Sequence, residues 1–132
     1  MARSFVMAAL VLAGTVVLAG CGSQEPLYDI AGTITFEGRP VPKGLIFFDP
    51  DPSTGTPGKQ GFATIEDGRF NTAIPGNGSG IRGGTYVIRI SGFDGKEGPE
   101  APFGQFLFPE HTLTRELPAR NQTFDYDVKK QR

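Results

Sequence analysis

Apolar and polar residues alternate in short bursts along most of this chain, and glycine and proline separate the bursts. Ile30, Ile34 and Phe36 alternate with Thr33 and Thr35, a Gly/Pro-rich segment runs over residues 37–44, and residues 45–48 are apolar on both parities before Asp49. This pattern predicts strand, loop and buried strand, a founding hairpin over residues 30–49. Pro40 and Pro42 fix φ and remove donors, so neither a helix nor a central strand continues through the connection. Residues 62–65 and 70–74 read as the third and fourth strands. Between them Asp67-Gly68 is a dipeptide favoured at tight turns, because both positions accept positive φ. Over residues 85–91, Tyr86, Ile88 and Ile90 face one way and Arg89 the other, a half-buried strand. Residues 112–117 and 123–128 close the series, the last with Phe124, Tyr126 and Val128 alternating with polar neighbours. Residues 49–58, 75–84 and 92–102 read as loops, and 103–108 as an irregular aromatic segment ended by Pro109. No stretch after residue 20 has a helical period, so the pattern predicts an all-β domain.

The N-terminus follows a different rule. Arg3 precedes an apolar run over residues 5–18, then Leu18-Ala19-Gly20-Cys21. A positive start, an apolar run and small residues read as a secretory signal. The run is too short and too rich in small residues for a good membrane-spanning helix. Cys21 is the only cysteine and directly follows Ala19-Gly20, an arrangement that resembles a bacterial lipobox. The resemblance implies lipidation of the Cys21 thiol, cleavage before it, and a lipoprotein signal peptide over residues 1–20. The competing reading is a buried free thiol, since lone cysteines commonly act as small core hydrophobes. Residues 21–27 would be a lipidated tether, and a multiply acylated cysteine anchors without help from the protein surface. Gly22, rather than Asp, after the cysteine favours the outer membrane by analogy with enterobacterial sorting, so the expected location is the cell envelope.

Removing residues 1–20 from 132 leaves 112, the length of one domain, which buries roughly 60–70 % of its unfolded surface. One cysteine forms no internal disulfide. Without Arg3, 12 of the 13 basic residues remain against 14 acids, a balance that argues against nucleic acid as a partner. Basic residues cluster only at 129–132, which reads as a solvated tail.

Gly32-Thr-Ile-Thr-Phe36, Phe47-Phe-Asp-Pro50, Asp67-Gly68-Arg-Phe70 and Gly84-Thr-Tyr-Val-Ile-Arg-Ile90, in that order, resemble the carboxypeptidase regulatory-like, or transthyretin-like, β-sandwich domain. The chain is similar in particular to small bacterial envelope lipoproteins made of one such domain. Phe108-Pro109, Leu113-Thr114 and Phe124-Asp-Tyr-Asp127 carry that narrower likeness, and Glu110-His111 departs from it. The resemblance covers residues 28–128. It implies a single Greek-key sandwich of roughly seven strands and an accessory or adhesive module without catalytic residues.

Several residue groups bear on chemistry. Gly78, Gly80 and Gly83 have dinucleotide-loop spacing, but a strand pattern follows them where that loop needs a helix, so they read as loop flexibility. His111 is the only histidine, and with Glu110 it falls short of a zinc ligand set. Asp49 and Asp51 flank Pro50, and Asp94 and Glu97 lie in another loop; their oxygens suit calcium, without the spacing of a known calcium loop. Asn77-Gly-Ser79 and Asn121-Gln-Thr123 match a glycosylation sequon, which carries little weight in a bacterial lipoprotein. One histidine and no Gly-x-Ser-x-Gly leave a serine triad or a histidine-rich metal site without its parts; carboxylate-only hydrolysis stays open, although nothing points to a pair. The reading is therefore a non-catalytic, monomeric envelope lipoprotein without cofactors, held to a membrane by lipid and serving structure or protein interaction. The alternative is a peptide- or glycan-binding module using Phe93, Phe103, Phe106 and Phe108, which sit in loop or irregular segments. A hydrolase or metal enzyme is the third reading.

Overall fold

A computed structural model of the chain describes residues 26–78 and 80–131, and the segment predicted to be a signal, residues 1–20, and Cys21 lie outside them. The fold is all-β. Its strands are β1 (Ile30–Phe36), β2 (Arg39–Pro40), β3 (Lys43–Pro50), β4 (Gly61–Glu66), β5 (Arg69–Asn71), β6 (Gly84–Phe93), β7 (His111–Leu117), β8 (Gln122–Thr123) and β9 (Tyr126–Val128), with one 3-10 turn at Pro52–Thr54. They form one curled, mainly antiparallel sheet in the order β2-β1-β5-β4-β3-β6-β7, and β8 and β9 pair in parallel with the other side of β1.

The predicted hairpin over residues 30–49 is corrected by this order. β1 folds back only onto the two residues of β2, while β5 and β4 stand between β1 and β3. The turn at Glu37-Gly38 has φ of 49° and 79°, a left-handed pair suited to a two-residue hairpin; Val41 N–H still donates to the Ile34 carbonyl, but the Ile34 N–H and the Val41 carbonyl both turn to Gly68, which ends the pairing. Asp67-Gly68 turns as the sequence predicts, with φ of 50° and 77°. The strand after it stops at Asn71 rather than residue 74, because Asn71 accepts from the Ala73 N–H and starts a turn. Asn77 and Gly78 then return to the free part of β4: Thr64 N–H donates to Asn77 Oδ1 and Gly78 N–H to the Phe62 carbonyl.

Alternation decides the core. Ile46 and Phe48, Ala63 and Ile65, and Tyr86, Ile88 and Ile90 are all buried on one face, joined by Ile30, Ile34, Phe70 and Val128. Leu45 and Phe47, read as part of a doubly buried run, are only half-buried on the outer face. There the Arg89 guanidinium lies 4.6 Å from the centroid of Phe47 and donates through Nε to Asp49 Oδ2 at 2.6 Å. The glycines read as loop flexibility are close-packing positions: a Cβ on Gly78 would lie 2.2 Å from the Phe62 ring, and on Gly80 1.9 Å from the Tyr28 carbonyl oxygen.

Register sorts the molecule into two poles. Ile30, Pro50, Gly84 and Leu117 lie at the end where the chain enters at Leu27-Tyr28, and Phe36, Lys43, Phe93, His111 and Val128 lie at the other. The seven residues of β1 separate the poles by roughly 20 Å.

Candidate functional site

β6 runs out at Phe93 into an arm over residues 94–106 at the pole distal to the chain entry. The arm is built around one carboxylate. Asp94 Oδ1 accepts the N–H groups of Lys96 at 2.9 Å and Gln105 at 3.1 Å, while Asp94 N–H donates to the Gln105 carbonyl and Gly95 N–H to that of Phe103. Gly98 and Ala101 exchange both backbone hydrogen bonds at the tip. Gly104, at φ 91°, leaves space for the carboxylate: a Cβ there would lie 1.9 Å from Asp94 Oδ1. The segment predicted to be an irregular loop is thus a pinned arm.

The arm gathers three of the four predicted aromatics. The Phe93 ring lies 4.5 Å from that of Phe106 and 5.5 Å from that of Phe103, centroid to centroid, tilted in both cases. Phe103 is 42 % exposed and Phe106 65 %, around an open cleft of about 280 Å³ that Glu100 and Gln105 also line. Phe108 leaves this set. It is 6 % exposed, packs 5.0 Å from Phe36, and fills the space above Gly92, where a Cβ would lie 2.6 Å from its ring. The chain bends over residues 107–109 instead of continuing as a strand, so Phe106 faces outward while Phe108 turns into the core.

The predicted oxygen ligands are separately engaged. Burial pushes the Asp49 carboxyl up, but hydrogen bonds from Arg89 and Gln60 outweigh it and hold the group below its ordinary range. The same pairing raises Arg89, which also reaches Glu110 at 3.5 Å. Asp51 caps the 3-10 turn, accepting Ser53 N–H at 2.9 Å and Ser53 Oγ–H at 2.7 Å. Glu97 is exposed on the arm, apart from the Asp94 carboxylate that organises it. Among the described residues no group of three or more His, Cys, Asp or Glu side chains gathers as a metal site. His111 contacts the last strand instead of a metal ligand set, its Nε2 lying 2.9 Å from the Tyr126 hydroxyl.

Lys129 and Lys130 are exposed, as a solvated tail requires, and each makes one contact back to the domain. Lys129 pairs with Asp127 at 2.6 Å, and the Lys130 N–H donates to Glu37. Hydrogen bonds from Lys129, Thr35 Oγ1 and Gly38 N–H hold the Asp127 carboxyl down at about 2. Sequence reasoning missed Asp94 and Gly104 as the residues that shape the aromatic site; the Asp94-Gly95 pair was a turn signal that could have pointed to them. No family model, curated protein or solved structure matches the chain.

Proposed function

We propose that this chain is a non-catalytic envelope lipoprotein, anchored through lipid on Cys21, whose β domain presents its distal pole to a partner protein. The observation that carries the interaction reading is the separation of functions along the molecule: the chain enters at one pole, and Phe103 and Phe106 are exposed on a pinned arm at the other. Exposed aromatics on a fixed scaffold favour association because little side-chain freedom is lost on binding. The small residues before Cys21 support the anchor, and Gly22 supports the outer membrane as its location. On this reading the curled sheet is a Greek-key sandwich of the carboxypeptidase regulatory-like type, supported by the Asp67-Gly68 turn and the inward Tyr86, Ile88 and Ile90.

Two measurements test it. Cys21→Ser should abolish incorporation of labelled palmitate and release the protein from membranes; unaltered processing with membrane retention refutes the anchor. A photo-crosslinking residue at Phe106 should give a defined protein adduct in cells, while one at Thr54, on the entry pole, should not. Equal labelling from both positions removes the polarity on which the reading depends. The cleft among Phe93, Phe103 and Phe106 also favours a second reading, a glycan or peptide module, because a sugar face or apolar side chain fits an exposed ring. Retention on a polysaccharide that disappears in Phe106→Ala would select it.

A further inference from the structure

Beside the arm, the distal pole carries a second apolar surface. Phe36 and Leu107 form a floor shared by two open clefts, one of about 310 Å³ reaching Lys130 and the other of about 460 Å³ reaching Arg39. One acid, Glu37, lines the second cleft, where its Oε1 accepts the Lys130 N–H, and Asp127 holds Lys129, Thr35 and the Gly38 N–H; against these stand Arg39, Lys129 and Lys130 around the two clefts. No carboxylate of the described residues lies within ion-pair distance of the Arg39 or Lys130 side chain. The result is an apolar strip with an available cation at each end.

We infer that this double cleft docks an extended segment of a partner protein in which an apolar core is flanked on both sides by acidic residues. Burial over Phe36 and Leu107 supplies attraction, and the two cations supply register and selectivity. A single-headed anionic amphiphile matches one end and leaves the other cation unmatched, whereas a peptide with acids on both flanks matches both. The inference deepens the interaction reading of the distal pole and rests on it.

The test is fluorescence anisotropy of the full chain with a fluorescein-labelled peptide, two glutamates on each side of a leucine-phenylalanine-leucine core. The same core flanked by lysines, and vesicles of anionic phospholipid, serve as competitors. The acid-flanked peptide should bind preferentially and lose affinity as salt is raised. Arg39→Glu and Lys130→Glu should each weaken it by about tenfold, because charge reversal replaces attraction by repulsion. Both side chains are exposed, so an unchanged circular dichroism spectrum accompanies the loss. The inference is overturned by absent binding, by equal binding of the lysine-flanked peptide, by affinity unaltered in both variants, or by preferential displacement with anionic vesicles. Such a failure with the Phe106 adduct intact sinks the cleft alone; loss of that adduct sinks the distal-pole reading itself.

Discussion

Asp94 and Asp127 show how single carboxylates organise this domain, one inside a loop and the other between strands. Gly104→Ala would force a side chain into a left-handed backbone at φ 91° and against Asp94 Oδ1. The expected cost is about 1–3 kcal/mol in chemical denaturation, with faster hydrogen exchange at Lys96 and Gln105. Preserved exchange protection at both amides would contradict the role given to Asp94. Asp127 gives a pH signature. Its carboxyl is held at about 2, below the ordinary value of 3.8. The stability it contributes is therefore present above about pH 4 and is lost as pH falls through about 2, since the unfolded chain binds the proton first. Asp127→Asn should flatten that part of an acid-unfolding profile. A variant whose stability follows the wild-type slope between those values would show that the ion pair makes no net difference.

At the scale of elements, the final strand is divided, and the division has a cause. The Phe124 carbonyl occupies the space over Gly32, where a Cβ would come within 1.8 Å of it, so β8 and β9 are separated by a break at Phe124-Asp125. Asp125 bridges the break, accepting both Thr33 N–H and Thr33 Oγ1–H at 2.9 Å. Asp125→Ala should destabilise the domain by about 1–3 kcal/mol, as expected for an N–H left without its charged acceptor, and loosen the C-terminal strand first. Hydrogen exchange resolved by residue would locate the loss at Thr33 and Tyr126; a uniform change over all strands would contradict a local role. β6 offers a second case, because Gly92 makes room for Phe108. Gly92→Ala should displace that ring from Phe36 and cost about 1–3 kcal/mol through overpacking, read as a lower denaturation midpoint. The period-two pattern was enough to find β6, whose Tyr86, Ile88 and Ile90 are buried on one face. It did not reveal that the last strand breaks, because the break depends on a carbonyl meeting a glycine 92 residues earlier in the chain.

For the whole molecule, stability and interaction lie in different places. Phe106→Ala should leave the denaturation midpoint nearly unchanged, within about 0.5 kcal/mol, because the ring is mostly exposed, yet should weaken partner capture. A large loss of stability would mean that the arm is part of the core. The sequence by itself determined the all-β class, the Asp67-Gly68 turn and the inward set Tyr86, Ile88 and Ile90. These depend on local rules, the two-residue alternation of a strand and the φ preferences of a turn. It also marked Phe93, Phe103 and Phe106 as candidates, through aromatic rings in a glycine- and proline-rich stretch. Tertiary structure alone decided that β1 and β3 are separated by two strands, that Phe108 turns into the core, and that the aromatic arm and the cation-ended cleft share the pole opposite the chain entry. Strand order and pole are set by which distant edges pair and which faces bury together. Those are non-local choices, and neither alternation nor turn chemistry encodes the partner across the sheet.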